Sequence, residues 1–450
     1  MRGNTSRISR RQFVHGTAAA VVCTLVPRHV LAQSVTNAPS DKLNIASIGV
    51  SGMGGGDVRS VAEGNNIIAL CDVDYKHASG TFKDFPKARK FKDFRVMFDA
   101  IEKDIDAVTV STPDHVHAVA AMAAIKRGKH VYCQKPLAHS IYEIRQLMKA
   151  ANEQKVITQL GNQGHSYDSI RVFCEWIWDG AIGPVKEIHA FCETNHCRIK
   201  QFGQRDEKHR IPETLDWNLW VGPAPMRPYN PMYLPGSWRS WMPFGSGTIG
   251  DWVCHVVDPV FWALDLGAPA TILNEAKDYD PREHADTFPN GSKVTFEFAG
   301  KGDRPAVKMI WFDGTEKPPR PQELEEGRKM PGIGAVVYGE KGVILYGSHG
   351  AGEVRIIPEA RMKEYKRPGP KLPRVPGGHY QDWLRAIREN RPAGSNFNYG
   401  GPLTELAQLG IIATKMLGQK LQWDGVSGRF TNSEEANQYL NPPYRQGWSL

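Results

Sequence analysis

The stretch Asn44-Ile45-Ala46-Ser47-Ile48-Gly49-Val50-Ser51-Gly52-Met53-Gly54-Gly55-Gly56 is an apolar run that breaks into a glycine-rich turn. A buried strand ending in such a turn lets the backbone approach a pyrophosphate, which then rests on the amino end of the next helix. The usual spacing, G-x-G-x-x-G, requires glycines at 49, 51 and 54. Here Ser51 takes the middle position and Gly52 stands beside it. Gly49, Ser51, Gly52, Met53 and Gly54 are the candidate phosphate-binding turn, but glycine clusters are common in loops and one alone is weak evidence. The next apolar run, Asn66-Ile67-Ile68-Ala69-Leu70-Cys71, gives it meaning. It ends in Asp72, 18 residues after Gly54. A carboxylate there accepts hydrogen bonds from ribose hydroxyls and repels a 2′-phosphate, which favours NAD over NADP.

The alternation continues downstream. Residues 105–111 read as a strand, 114–127 as an Ala-rich helix, 129–133 as a strand, 140–154 as a helix and 156–160 as a strand. Strands separated by helices of this length make βαβ units and a parallel sheet. The expectation is a Rossmann domain over 41–162. Ligands of such sheets lie beyond the carboxyl ends of the strands. This points to Thr112, Pro113 and His117 in one loop and to Gln134 and Lys135 in another. A lysine just past a buried strand can donate to a substrate hydroxyl, relay its proton or hold a phosphate; it can equally be an exposed turn residue.

The stretch Gly250-Asp251-Trp252-Val253-Cys254-His255-Val256-Val257-Asp258-Pro259 holds a second site signal. On a helix, Asp251 and His255 fall at i and i+4, one turn apart on one face. A carboxylate and an imidazole so placed can share one small-molecule oxygen, one holding it and the other taking its proton. Asp258 continues that face, or caps a second helix with Pro259 in its first turn. No further His or carboxylate cluster accompanies the pair, so no metal site is expected.

Taken together, Thr112-Pro113-Asp114-His115-Val116-His117, Gln134-Lys135-Pro136-Leu137-Ala138, Gly161-Asn162-Gln163 and the Gly-Asp-x-x-x-His-x-x-Asp stretch resemble the Gfo/Idh/MocA oxidoreductase family. The resemblance runs from about residue 43 to at least 425. It implies that Lys135 sits by the substrate and nicotinamide, that Asp251 and His255 bind substrate and move its proton, and that Gln163 borders the cofactor. Gln134 stands where the family more often has Glu, which removes a charge beside the lysine.

The remainder, 163–450, contains few helices between strand-like runs at 185–194, 292–298, 306–312, 335–339, 342–346 and 353–358. An α+β domain with a large open, mostly antiparallel sheet is expected, and the resemblance implies that its face forms the substrate site and an oligomer interface. Six of the 12 tryptophans fall between 217 and 262, with Arg227, Tyr229, Tyr233 and Arg239 interleaved. Aromatic faces stack on sugar C–H faces, and they also build cores and dimer contacts. Trp238 and Arg239 are the candidate substrate contacts there. His379, in Gly377-Gly378-His379-Tyr380, either reaches the site or packs at a helix start. Two Pro-rich stretches, 317–321 and 363–378, read as surface loops or arms.

Hydrophobic content of 41% and charged content of 23% suit a soluble globular chain of two domains. The net charge of +8 includes five arginines in residues 1–32, unopposed by acid. Without them it falls to +3, no basis for nucleic-acid binding. Those residues carry Arg10-Arg11-Gln12-Phe13, an apolar run too short to span a membrane, and a cleavable Val30-Leu31-Ala32. This reads as a twin-arginine export signal, with a periplasmic or extracellular destination. Of the seven cysteines Cys23 lies in the signal; the others lack metal spacing and read as mostly buried thiols, although Cys192 and Cys197 are near enough in sequence to pair.

The reading is an exported NAD-dependent oxidoreductase acting on a sugar or glycoside hydroxyl, with Lys135, Asp251 and His255 as its catalytic group. The alternative is an NAD-dependent glycoside hydrolase that oxidises C3 transiently and eliminates the leaving group.

Overall fold

The computed structural model describes residues 42–450, so the stretch expected to be an export signal lies outside the described residues. Residues 43–450 form one unit built on two sheets.

The first sheet holds β1 (Asn44–Ile48), β2 (Asn66–Cys71), β3 (Arg89–Phe91), β4 (Ala107–Val110), β5 (His130–Cys133) and β6 (Thr158–Leu160). Their order is β3-β2-β1-β4-β5-β6, and every pairing is parallel. The connecting helices include α1 (Met53–Ala62), α2 (Phe94–Ile101), α3 (Asp114–Ile125) and α4 (Ile141–Gln154). The order in which strands are added reverses between β1 and β4, so a crevice opens where the turns after those strands diverge. Helix α3 is Ala-rich and buried on nearly all sides, because it fills the space between sheet and second domain. Ser140 starts α4 by accepting from the Glu143 amide, and Glu143 returns the favour to the His139 amide, a close variant of the capping box.

The second sheet has nine strands: β7 (Val185–Cys192), β8 (Thr271–Glu275), β9 (Gly291–Phe298), β10 (Val307–Gly314), β11 (Ile333–Gly339), β12 (Gly342–Gly347), β13 (Gly352–Ile357), β14 (Leu421–Asp424) and β15 (Arg429–Phe430). Only β7 and β10 pair in parallel; all other neighbours are antiparallel. The expectation of a large, mostly antiparallel sheet holds. The three strands at one end of the sheet, β8, β14 and the edge strand β15, are too short and too polar to announce themselves in sequence.

One face of this sheet packs on α5 (Asp168–Trp178), α6 (Gly247–Val256), α7 (Asp258–Ala263) and α9 (Phe397–Lys415); α8 (Gly378–Glu389) packs instead on the first sheet. The opposite face is part apolar and part charged. Leu324 and Met330, from the Pro-rich segment after β10, cover Phe191, Ile310, Phe312 and Val336. Beyond them stand the ion pairs Lys308–Glu187, Lys293–Glu275 and Lys420–Glu297. The second Pro-rich stretch is tied down by buried Glu175, which accepts from the Lys371 and Leu372 amides and from Arg374.

The long crossing from β7 to α6 forms a roof over the first sheet. Its residues 214–216 bond to the turn after β2, through Tyr75 N to Thr214 O and Asp216 N to Val73 O. Asp258 proves not to be a cap: the α6–α7 junction stays helical at Val257, and the Asp258 carboxylate accepts from Asn162, His165 and Tyr399.

Candidate active site

The glycine turn is built by steric necessity. A Cβ on Gly49 would lie 2.6 Å from the Ser111 carbonyl oxygen, and one on Gly54 only 2.0 Å from that of Gly49. Both positions therefore admit only glycine, and they press β1, α1 and the loop after β4 together. Gly52 differs. It has φ 52°, stands at the start of the ten-residue α1, and has nothing within 4 Å of where a Cβ would be. The open space lies where a pyrophosphate needs to approach. Ser51, replacing the middle glycine, is used elsewhere: its hydroxyl donates to Asp72.

Asp72 is 8% exposed and also accepts from the Val50 and Asp74 amides. Burial pushes its carboxyl up, and those amides pull the other way. This acid is fixed beside the turn, as ribose recognition requires.

A cavity of about 820 Å³ runs from this turn across the crevice. Gly49, Ser51, Gly52, Met53, Asp72, Thr112, Pro113, His117, Gln134, Lys135, Trp238 and Arg239 all line it. Gly54 lies beneath the turn instead. Gln163 turns its amide to the Tyr380 hydroxyl. His117 staples two loops, its ring nitrogens facing the Pro136 and Thr112 carbonyls at 2.7 and 2.8 Å. Burial holds its pKa at about 4, so the neutral ring donates to one carbonyl at a time.

Asp251 and His255 do not line this cavity themselves; α6 places them one turn apart, as their spacing predicts, and Asp251 contacts the lining residues Lys135 and Arg239. The Asp251 carboxylate is encircled. Lys135 Nζ lies 2.6 Å and Arg239 Nε 3.1 Å from Oδ1, while His196 Nε2 lies 3.2 Å from Oδ2. Lys135 also donates to the Asp251 carbonyl at 2.8 Å. Burial pushes the carboxyl up, yet Lys135, the His196 hydrogen bond and Arg239 outweigh it and hold Asp251 well below the usual carboxylate range. So Asp251 stays ionised and organises the cations that line the cavity.

His255 is buried at 5% exposure, and its Nδ1 has no hydrogen-bond partner among the described residues. Burial, Lys135 and His349 hold its pKa well below the ordinary imidazole value. The ring is thus neutral and able to take a proton. His349, on the turn between β12 and β13, packs against it with ring centroids 4.3 Å apart. That turn is strained: His349 has φ 56° and Ala351 φ 59°, both in the left-handed region.

Sequence reasoning missed His196, His349 and Asp57. The first two follow strand ends, where polar residues facing a site collect, but neither has a local pattern. Asp57 is fully buried on α1 and accepts from Tyr380 at 2.6 Å, Ser111 at 2.7 Å and Gln134 at 3.0 Å. It explains the glutamine before Lys135: an amide donates where a second carboxylate would repel. Gln134→Glu is expected to cost about 2–4 kcal/mol at neutral pH. The deficit should shrink as pH falls toward 5, because the paired acids then share a proton, and Asp57→Asn in the same chain should restore stability. Urea denaturation of the three proteins measures this.

Two expectations change. His379 is 3% exposed and both ring nitrogens are engaged, by Gln159, Ser166 and the Leu160 carbonyl. It packs at the start of α8 and does not line the cavity. The tryptophan-rich stretch is mostly core: Trp217, Trp220, Trp238 and Trp241 cluster with Tyr233 and Phe244. Among these tryptophans only Trp220 and Trp238 reach the cavity, the latter under the Arg239 guanidinium at 4.2 Å.

A family model described as an oxidoreductase family with an NAD-binding Rossmann fold matches residues 43–162. A second, its C-terminal α/β domain, matches 194–315. Among curated proteins, the chain is 29% identical over 190 residues to levoglucosan dehydrogenase of Pseudarthrobacter phenanthrenivorans, covering 42% of this chain and 40% of that one. It is 31% identical over 150 residues to inositol 2-dehydrogenase of Rubrobacter xylanophilus, covering 32% and 42%. The matches thus span less than half the length of these relatives. Among solved structures, the WlbA dehydrogenase of Bordetella pertussis in complex with NADH and UDP-GlcNAcA superposes with a TM-score of 0.58 at 14% identity, covering 85% of this chain and 99% of that one.

Proposed function

The chain belongs to the Gfo/Idh/MocA oxidoreductase family, and we propose that it is an exported oxidoreductase that uses bound NAD to oxidise a hydroxyl of a sugar or glycoside. The observation that carries this is the single cavity joining the Gly52 turn to Lys135 and Arg239, directly in front of the Asp251 clamp. Bound NAD supplies the hydride acceptor.

The chain's own residues do the rest. Gly52 and α1 receive the pyrophosphate, and Asp72 faces the adenosine ribose. Lys135 and Arg239, fixed by Asp251, donate to substrate hydroxyls and hold the reacting carbon toward the nicotinamide. Holding two reactants in contact is worth several kcal/mol of barrier. His255, neutral and poor in hydrogen bonds, takes the hydroxyl proton. The aromatic edge at Trp238 and the cationic wall suit a polyhydroxylated ring, and the names of the two curated relatives point the same way. Residues 1–32 would direct export by the twin-arginine route, which carries folded, cofactor-loaded protein. Outside the cytoplasm free NAD is scarce, so the reduced cofactor is regenerated within the site by a second sugar.

The test uses protein purified without added cofactor. Nucleotide is extracted from one portion, and another is mixed with a panel of aldoses and glycosides while the reduced-nicotinamide absorbance is followed and products are analysed. Bound NAD, with a keto product and reduced nicotinamide, is expected. Glycoside cleavage without lasting reduction would instead identify a hydrolase, and absence of any nucleotide binding would overturn the reading.

A further inference from the structure

We propose that residues 438–450 form a strap that completes the adenosine end of the cofactor cleft, Trp448 offering a stacking face for adenine and Arg445 bolting the roof shut, so that the dinucleotide stays captive between turnovers. Trp448 lines the same cavity as Asp72, although nearly 380 residues separate them. Its ring is held by two neighbours: Phe94, which lines the same cavity, lies 6.1 Å away between ring centroids, and the Arg95 guanidinium sits 4.4 Å over it. A flat, half-buried indole held at a cavity wall, at the ribose-binding end, is the surface on which a base stacks.

Arg445 works on the roof. Its guanidinium donates to the Gly222 carbonyl at 2.9 Å, to the Asn218 carbonyl at 3.0 Å and to the Asn218 side chain at 2.7 Å. Those residues carry Leu219 and Trp220, which form the roof of the cavity. The strap is anchored between its two working residues and the body by Tyr444, whose hydroxyl donates to Glu143 at 2.6 Å, and by the Leu440 carbonyl, which accepts from the Tyr142 amide. One segment therefore supplies a wall and locks the lid above it. Nucleotide exchange requires Arg445 to let go of the roof.

The inference rests on the cleft's binding NAD, not on which sugar is oxidised. The full chain is loaded with NADH and chased with excess NAD, and release is followed by the fluorescence of NADH itself. Trp448→Ala should release NADH about tenfold to a hundredfold faster, the range expected for one lost base–aromatic stack. Trp448→Phe should keep most of the slow rate. Arg445→Ala should also speed release, because the wall remains but the roof is free. Urea midpoints of the nucleotide-free proteins separate a lost fold from a lost wall. Wild-type release rates in both alanine variants would overturn the strap while leaving the nucleotide site standing; a wild-type chain that takes up no NADH would remove both.

Discussion

His255→Asn should lower turnover by about 10²–10⁴-fold, the usual contribution of a positioned general base, while NADH binds as it does to the wild-type chain. The separation of effects follows from geometry. His255 stands on α6 beside Asp251, but the cavity wall that would receive the nucleotide is formed by the glycine turn and the loops after β4 and β5. The wild-type rate should also hold on acidification below pH ~6.5, the ordinary imidazole value. Burial, Lys135 and His349 keep the His255 ring neutral well below that point, with Asp251 alone acting against them. A protonated imidazole cannot accept, so activity is lost only as pH falls through this depressed value. Turnover against pH, measured in parallel with NADH titration, checks both parts. Activity within about tenfold of wild type would move the base elsewhere, and His349, in ring contact with His255, is the first place to look.

How much of this was legible in the sequence depends on how far apart the partners lie. The glycine turn, Asp72 and the βα alternation are local patterns, and each fell where the spacing put it. The Asp251–His255 pair is local too, since a helix turns two residues four apart onto one face. What surrounds the pair is not local. Asp251 is clamped by residues 116, 55 and 12 positions away, and no periodicity announces such an encounter. Gln134 looks like a lost charge until Asp57, 77 residues upstream, is placed against it. The tryptophans show a different limit. Composition cannot tell a core from a binding wall, because large aromatics serve both, and here Trp217 and Trp241 are buried while Trp238 lines the cavity. Asp258 carried a plausible capping signature beside Pro259. The buried donors of Asn162, His165 and Tyr399 claimed its carboxylate instead.

Asp251→Asn should be among the most damaging single changes, and in a way that distinguishes structure from chemistry. In the wild-type chain one carboxylate bridges Lys135 and Arg239 and holds His196, with side-chain exposures of 11%, 30% and 18% around an Asp251 that is itself 16% exposed. Removing only the charge leaves two cations facing each other in a largely dry pocket, a loss of about 3–5 kcal/mol for a broken buried pair. The pH dependence identifies the cause. Asp251 has a folded pKa well below its unfolded value, so its contribution is fully present above pH ~4 and is lost as pH falls through the folded value. The stability gap between wild type and Asp251→Asn should therefore be flat from about pH 7 down to about pH 5 and close below pH ~4. Urea denaturation across that range measures it. A gap that stayed constant into acid would mean that packing, not charge, makes Asp251 matter. Turnover should fall with the same substitution, because Lys135 loses its acidic partner, Asp251, and no longer holds its Nζ toward the substrate. Nucleotide uptake, which depends on the turn at Gly52 and on Asp72, should survive in whatever fraction remains folded.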